Sequence, residues 1–190
     1  MNKLLYKHYV FLEKINDQIE NNLLKFKNIN IIINTNSTTL QSLKSELTII
    51  RFAKKNHIPL LFKNDFQKCI KYDADGVFIE ANNKKLTRPV MLKKKILIIG
   101  LVHNQMEYFL KLKQSCKVVM LSPIFLNPKY TKDKILGVIK YNLISLNWKI
   151  ATCALGGINS KNFKKIKCTK SKELGFIRAI KNPSALSADG

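Results

Sequence analysis

Two short segments carry the residue types best suited to chemistry, and both follow apolar runs. Leu121-Ser-Pro-Ile-Phe125 ends one run, and Leu155-Gly-Gly-Ile158 ends another. Each pattern is typical of a short buried strand followed by turn residues, and glycine there allows backbone conformations that other residues rarely adopt. A glycine pair at such a point lets backbone amides approach a phosphate closely. Because the carboxyl ends of parallel strands hold the active sites of barrel enzymes, the two segments predict a phosphate site there.

The rest of the chain offers a scaffold for these segments in a repeated pattern. Apolar runs of four to five residues recur, and a longer amphipathic stretch follows each. Runs without alternation are typical of strands covered on both faces. The candidate strands are residues 9–12, 29–33, 59–62, 76–79, 96–99, 117–121, 149–153 and 174–177. Eight strands alternating with helices predict a (β/α)8 TIM barrel; a flavodoxin-like or Rossmann sheet is the alternative but needs only five or six.

Two of the intervening stretches show clear helical spacing. The first carries an apolar stripe at steps of three and four: Leu40, Leu43, Leu47, Ile50 and Ala53. The second is looser and runs from Met106 to Leu112. Asn104 is predicted to cap this second helix, and Ser160 to cap the helix that begins before Phe163.

The length of 190 residues predicts one compact domain with a sizeable core. Barrels of this class usually have roughly 250 residues, so the loops must be short. We expect the barrel to occupy residues 1–181 and a loose tail to occupy residues 182–190. The sequence contains no GxGxxG or P-loop motif, so it offers no nucleotide-binding fingerprint.

The net charge of +22 raises the hypothesis of a nucleic-acid-binding protein. Only three of the 34 basic residues are arginine: Arg51, Arg88 and Arg178. Arginine is the usual bidentate reader of bases and phosphates, and the lysines here are spread over nearly every segment. The charge therefore favours a solvated lysine surface, which also attracts small phosphorylated substrates.

Four cysteines lie far apart and form no CxxC: Cys69, Cys116, Cys153 and Cys168. This usage favours reduced cysteines in a cytoplasmic protein, with a metal site as the alternative. No apolar run approaches the roughly 20 residues of a membrane helix, and the first residues do not resemble a secretory signal.

Four short motifs stand out along the chain: Asp75-Gly-Val-Phe-Ile79, Ser122-Pro-Ile-Phe125, Leu136-Gly137 and Ala154-Leu-Gly-Gly-Ile-Asn159. Together they resemble the thiamine-phosphate synthase family, which includes the related thiazole tautomerases. The likeness covers about residues 9–181. It implies a (β/α)8 barrel that joins an aminopyrimidine pyrophosphate to a thiazole phosphate. Pyrophosphate is released, with Mg²⁺ as the bound metal.

The resemblance assigns roles to residues on both sides of the expected site. Asn64 matches a pyrophosphate-binding residue, and Asp65 matches a magnesium ligand; as an alternative, Asp65 caps a helix. Gly156 and Gly157 match the pair that receives the thiazole phosphate, with a plain tight turn as the alternative. Arg178 follows the last strand, where it either grips the same phosphate or points into solvent.

Two further residues fall on family positions after the fifth and sixth candidate strands. His103 is the candidate catalytic residue, although a lone histidine more often serves packing or hydrogen bonding. Ser122 stands where synthases often have glycine, and it is a candidate substrate contact. The tautomerases carry a histidine near this point and this chain has none, which disfavours the tautomerase hypothesis.

The sequence departs from the family at several charged positions. The pattern Gln-x-Arg-x-Lys of the second strand becomes Ile32, Asn34 and Asn36. After strand six, Thr-x-Thr-Lys becomes Asn127-Pro-Lys-Tyr130, with Lys129 and Lys132 as substitutes for the lost cation. The strand histidine is replaced by Phe78, and the second magnesium carboxylate by Asn83. These changes remove charge that a leaving pyrophosphate requires.

The leading hypothesis is therefore a cytoplasmic thiamine-phosphate synthase-like enzyme that uses Mg²⁺ and binds small phosphorylated substrates. A thiazole tautomerase-like enzyme is one alternative. Another is a non-catalytic relative that keeps only the phosphate pocket. We expect no nucleic-acid or membrane partner, and assembly into a homo-oligomer stays open.

Overall fold

A computed structural model describes residues 6–35, 39–86, 96–127 and 130–176. Eight parallel strands form a closed barrel in which each strand pairs with the next along the chain. The strands are β1 (Lys7–Leu12), β2 (Ile29–Ile33), β3 (Leu60–Lys63), β4 (Gly76–Ile79), β5 (Leu97–Val102), β6 (Val118–Leu121), β7 (Ala151–Leu155) and β8 (Glu173–Phe176). The predicted (β/α)8 barrel is confirmed, and each predicted strand overlaps an observed one.

Helices follow most of the strands and cover the outside of the barrel. They are α1 (Asp17–Leu23), α2 (Leu40–Lys55), α3 (Phe66–Lys71), α4 (Gln105–Lys113), α5 (Gly137–Ser145) and α6 (Phe163–Ile166). A short 3-10 turn, Lys132–Lys134, lies between β6 and α5. No helix among the described residues is long and apolar enough to cross a membrane. The predicted tail, residues 182–190, lies outside the described residues.

The barrel closes through β1, which pairs with β2 on one side and with β8 on the other. Alternate side chains of each strand point inward, as the pleat of a strand requires. In β1, Tyr9 and Phe11 belong to the cluster inside the barrel, whereas Val10 and Leu12 belong to the layer beneath the helices. Phe11 meets Phe78 of β4 edge to face, with ring centroids 5.0 Å apart. The barrel interior is therefore a packed apolar core.

The apolar stripe predicted for α2 is only partly correct. Ile50 and Ala53 are buried, but Leu40 is 78% exposed and Leu43 and Leu47 also lie outward. The face that packs on the barrel includes Glu46. Its carboxylate accepts hydrogen bonds from the Thr35 hydroxyl at 2.9 Å and from the Lys68 ammonium at 2.8 Å. Because these partners satisfy its charge, Glu46 occupies a face that apolar spacing assigned to leucines.

One predicted helix cap is confirmed and one is wrong. Asn104 caps α4 by accepting the backbone N–H of Glu107 at 3.0 Å. Ser160 does not cap α6, which begins at Phe163 with Asn162 in the cap position. The turn before α6 is held instead by Asn159, whose side-chain oxygen accepts the backbone N–H groups of the two residues that precede Phe163. Asparagine competes well for such turns, and the helix starts later than predicted.

The amino-terminal end of the barrel contains a partly buried carboxylate, Glu173 of β8. The Tyr9 hydroxyl donates to Glu173 Oε2 at 3.1 Å, and Lys7 pairs with Glu173 in the strand register. Burial raises the pKa of Glu173, although Lys7 and the Tyr9 hydrogen bond act in the opposite direction. This end of the barrel thus holds a carboxylate whose charged form is disfavoured.

Candidate functional site

The carboxyl end of the barrel gathers the polar residues that the sequence singled out. The first residue after each of five neighbouring strands is polar or glycine: Asn64, Glu80, His103, Ser122 and Gly156 follow β3, β4, β5, β6 and β7. In a barrel of eight strands in sequence order, β3 and β7 lie on opposite sides of the mouth. The structure thus places Asn64 and the glycine pair at one end of the barrel, across its opening from one another.

Asn64 is held firmly on the first side of this opening. Its Oδ1 accepts from the Glu80 backbone N–H and from Asn83 Nδ2, both at 3.0 Å. Its Nδ2 donates to Glu80 Oε2 at 2.7 Å. The backbone of Asn64 has a φ of 55°, in a region that asparagine enters more readily than most residues. Local structure therefore fixes the orientation of the carboxamide.

Asp65 caps the helix that follows, so the cap hypothesis is confirmed. Its Oδ1 accepts the Lys68 backbone N–H at 2.8 Å, and α3 begins at the next residue. Among the described residues, Oδ2 has no hydrogen-bond donor. Since the cap occupies one oxygen, the second can still bind a cation, and the magnesium role stays a prediction.

Two charged residues of this region were missed by the sequence analysis. Lys63, the last residue of β3, has a side chain only 8% exposed, and its Nζ lies 3.5 Å from Glu80 Oε1. Lys63 is one position beyond the Ile33–Phe62 register pair, next to Asn34, where the expected arginine is absent. The available signal was that a lysine ends the apolar run Leu60-Leu-Phe and a glutamate directly follows Gly76-Val-Phe-Ile.

On the opposite side, the two strand-ending segments pack directly on each other. Gly156 and Gly157 have φ values of 96° and 71°. A Cβ on Gly156 would lie 3.0 Å from the Ser122 hydroxyl oxygen, and one on Gly157 would overlap the carbonyl oxygens of Phe125 and Leu126. The tight-turn interpretation therefore has a direct steric basis. Among the described residues the Gly157 amide has no acceptor, so it remains able to bind an anion.

His103 is tied at both ring nitrogens. Nδ1 lies 3.0 Å from Glu107 Oε2, which also accepts the His103 backbone N–H, and Nε2 lies 3.1 Å from the Tyr130 hydroxyl. Burial, and then the charge of Glu107, raise the pKa of Tyr130, so its hydroxyl keeps its proton at neutral pH. These bonds support the hydrogen-bonding interpretation of His103, which links the start of α4 to the segment after β6.

A cavity of about 850 Å³ opens beside the mouth, between the loops after β5 and β6 and helix α5. Ser122, His103 and Tyr130 line its inner end, and Leu143 and Trp148 form part of its outer wall. Ser122 is only 4% exposed, and its hydroxyl has no hydrogen-bond partner among the described residues. Asn64 and the glycine pair do not line the cavity, which adjoins the glycine turn through Ser122 and Pro123.

Of the remaining predicted site residues, some lie in the described part of the chain and others do not. Asn127 is half-buried, and its carbonyl accepts the Tyr130 backbone N–H at 3.1 Å. Lys132 is exposed in the 3-10 turn. Lys129, Arg178 and Asn36 lie outside the described residues. Their assigned roles stay predictions.

Comparison with known proteins decides the family. A family model described as thiamine monophosphate synthase matches residues 13–180, nearly the whole barrel. The chain belongs to the thiamine monophosphate synthase family. The resemblance drawn from four short motifs is thus confirmed.

Relatives of this thiamine monophosphate synthase family member are distant. A thiamine-phosphate synthase of Prochlorococcus marinus is 33% identical over 113 residues, which cover 57% of this chain and 32% of that protein. Thiamine-phosphate synthase 1 of Streptococcus pneumoniae is 28% identical over 148 residues, covering 74% of this chain and 68% of that one. The match therefore spans about a third of the first relative's length.

A solved structure shows that the fold is shared along the chain. The thiamine phosphate pyrophosphorylase of Pyrococcus furiosus aligns with a TM-score of 0.74 at 18% identity. The alignment covers 96% of this chain and 94% of that one. At this identity the likeness concerns the fold alone.

The structure shows what the residues that differ from the thiamine monophosphate synthase family pattern do in this fold. Ile32 and Phe78 are buried among the apolar side chains inside the barrel, so neither offers a polar contact. Asn34 donates to Glu13 at 3.1 Å, and Asn83 donates to Asn64. Among the described residues, no group of three or more histidine, cysteine, aspartate or glutamate side chains could hold a metal ion.

Proposed function

We propose that this chain is a cytoplasmic thiamine-phosphate synthase. It joins an aminopyrimidine pyrophosphate to a thiazole phosphate and releases pyrophosphate. The observation that carries the proposal is the family match over residues 13–180. The barrel mouth supports it, because groups suited to phosphate oxygens lie on its two opposite sides. Assembly into a homo-oligomer stays a prediction.

The reaction needs positioning and charge more than a reactive side chain. The bond from the pyrimidine methylene carbon to the pyrophosphate oxygen breaks, and its electron pair leaves with pyrophosphate. The lone pair of the thiazole nitrogen then forms the new carbon–nitrogen bond. Since no proton has to be transferred in this exchange, the enzyme can act by holding the two partners together. We therefore assign His103 to positioning the segment after β6 through Tyr130.

The β3–β4 side of the mouth would receive the pyrophosphate. Asn64 Nδ2 has a second hydrogen beyond the one donated to Glu80, and this hydrogen can reach a ligand oxygen. The Lys63 ammonium supplies positive charge beside it. Asp65 Oδ2 would hold Mg²⁺, with phosphate oxygens and water completing the coordination. When bound, the metal would offset the charge that develops on the leaving group.

The β7 side would receive the thiazole phosphate. The amide of Gly157 and the hydroxyl of Ser122, which has no hydrogen-bond partner in the described part of the chain, are donors on the same turn. Donors held in place by a rigid turn bind an anion without a reorganisation cost. Asn127 and Lys129, which follow β6 in the sequence, and Arg178, which follows β8, are proposed as further contacts. The net charge of +22 would draw both anionic substrates toward the mouth.

A non-catalytic phosphate-binding protein is the second candidate, and one observation favours it. The glycine turn is intact, whereas Ile32, Phe78 and Asn83 have replaced polar or charged residues on the opposite side. A thiazole tautomerase has less support, because the residue that follows β6 is Ser122 and not a histidine.

Product analysis and binding together separate these candidates. Purified protein is incubated with both substrates and Mg²⁺, and thiamine phosphate is measured by chromatography. Titration calorimetry with thiazole phosphate alone and with inorganic pyrophosphate alone reports the two halves of the site. Product formation supports the synthase. Thiazole phosphate binding without product would favour the binding protein, and the absence of both binding and product would refute the proposal.

A further inference from the structure

Helix α4 contains a lysine that is completely buried. Lys111 is 0% exposed, and its ammonium donates to the backbone oxygens of Glu80 at 2.7 Å and Asn83 at 3.2 Å. A third hydrogen bond reaches Gln114 Oε1 at 2.9 Å. Three acceptors satisfy the three donors of the ammonium, but none of them carries a negative charge. Burial accordingly lowers the pKa of Lys111. A buried ammonium lowers the stability of the fold compared with an apolar side chain of similar size, which indicates that Lys111 serves a purpose other than stability.

Gln114 adds to the same contact. It is also 0% exposed, and its Nε2 donates to the backbone oxygens of Asn83 and Lys85, both at 2.8 Å. From the carboxyl-terminal end of α4, Lys111 and the cap residue Gln114 therefore bind three carbonyl groups of residues 80–85. These carbonyls follow β4 directly and have left its ladder, so the two side chains act as their hydrogen-bond partners.

The barrel wall leaves room for the lysine stem at Gly100 of β5. A Cβ on Gly100 would lie 2.7 Å from both Cγ and Cδ of Lys111 and 3.0 Å from the Cys116 sulfur. Any larger residue at position 100 would force the stem out of its path. The contact between the end of α4 and residues 80–85 therefore depends on Lys111 and Gln114, and on Gly100 of β5, which leaves space for the lysine side chain.

Residues 80–85 in turn orient Asn64. The backbone N–H of Glu80 and the Nδ2 of Asn83 both donate to Asn64 Oδ1. Lys111 binds the carbonyl group of the same two residues, Glu80 and Asn83. A displacement of this segment would therefore move two of the groups that fix the Asn64 carboxamide.

We propose that Lys111 and Gln114 are positioning residues for the pyrophosphate side of the mouth. From α4 they hold residues 80–85 in the arrangement that directs Asn64 toward its ligand. The inference rests on the proposed function, because it assigns pyrophosphate to the Asn64 side. It goes further in stating that the affinity for pyrophosphate is set in part by two residues that never touch it.

A substitution with a matched control tests the inference. Lys111→Met keeps the length and removes the hydrogen bonds, whereas Lys113→Met changes an exposed lysine of the same helix. We expect Lys111→Met to weaken binding of inorganic pyrophosphate with Mg²⁺ by about tenfold, as is typical when a supporting residue is removed. Binding of thiazole phosphate should change less than twofold, and Lys113→Met should change neither. Equal weakening of both ligands would overturn the inference, because it would indicate a general loss of structure.

A double-mutant cycle tests whether the effect passes through Asn64. In an Asn64→Ala background, Lys111→Met should cause little further loss of pyrophosphate binding, since coupled residues are not additive. Full additivity would contradict the inference. If Lys111→Met fails to fold, Gln114→Leu serves in its place, with the same expected selectivity for pyrophosphate. Wild-type binding of pyrophosphate that both variants retain would refute this inference alone, whereas a wild-type protein that neither binds pyrophosphate nor forms product would also refute the proposed function.

Discussion

Asn64 and Glu80 hold each other through two hydrogen bonds that run in opposite directions. Asn64 Nδ2 donates to the Glu80 carboxylate at 2.7 Å, and the Glu80 backbone N–H donates to Asn64 Oδ1 at 3.0 Å. The pair joins the carboxyl ends of β3 and β4, and Lys63, the last residue of β3, also approaches Glu80. On this side of the mouth, Lys63, Asn64 and Glu80 therefore form one hydrogen-bonded and ion-paired network, and each residue can be substituted separately.

The first prediction concerns the Lys63–Glu80 ion pair. Lys63→Met removes the positive charge, so we expect the affinity for inorganic pyrophosphate with Mg²⁺ to fall about tenfold, which corresponds to one charge-assisted hydrogen bond. Glu80→Gln keeps an oxygen for Asn64 but removes the anion beside Lys63, so affinity should stay equal or rise. Titration calorimetry measures both. An equal loss in the two variants would show that the pair serves only to hold the loop.

The second prediction separates the two roles of Asp65. Asp65→Asn keeps a cap for α3 but loses the charge, whereas Asp65→Ala loses both. We expect turnover to fall in both variants by on the order of 100-fold, as when one preorganised electrostatic contact is lost. Only the alanine variant should also lose stability, by about 1 kcal/mol. Urea unfolding and initial rates distinguish the effects; normal turnover in Asp65→Asn would leave the residue with the cap alone.

The third prediction compares two glycines with positive φ. Gly137→Ala adds a methyl group into open space at a φ of 62°, so it should cost about 1 kcal/mol of backbone strain. Gly157→Ala adds the same strain and also overlaps two carbonyl oxygens, so its cost should reach roughly 3 kcal/mol or more. Gly157→Ala should also abolish thiazole phosphate binding, which Gly137→Ala retains. Similar unfolding midpoints for the two variants would contradict the steric argument.

The fourth prediction concerns pH and the other end of the barrel. Because the pKa of Glu173 is raised in the folded protein, the folded state holds the proton more tightly than the unfolded state. The resulting penalty is absent below the ordinary pKa of 4.5 and grows as pH rises through the raised folded value. Glu173→Gln should therefore be more stable than the wild type at pH 7, and this advantage should vanish near pH 4. Urea unfolding at the two pH values is the measurement; a less stable variant at pH 7 would refute the argument.

Much of the fold could be predicted because local pattern and tertiary structure agree. Runs such as 29–33 and 76–79 lie in strands buried on both faces, and their bounds were predicted without error. The face of α2 could not be predicted in full, because Glu46 is buried by partners from two other elements, Thr35 and Lys68. Such a carboxylate looks like a surface residue until its partners are known.

Part of the candidate site could likewise be predicted from the sequence, and part could not. The Gly156–Gly157 turn was visible because two adjacent glycines after a strand have few other uses. Lys63 and Lys111 were missed, because in a chain with 34 basic residues no single lysine stands out. Their importance comes from burial and from contacts between β3, β4 and α4, and these are properties of the folded chain.

The most direct test of the account is the release of pyrophosphate by the purified protein. With aminopyrimidine pyrophosphate, thiazole phosphate and Mg²⁺ present, we predict release that requires both substrates, stops when the metal is chelated and is strongly reduced in Asp65→Ala. Release that is absent at high enzyme concentration, or that proceeds equally well without thiazole phosphate, would contradict the assignment of this barrel as a thiamine-phosphate synthase.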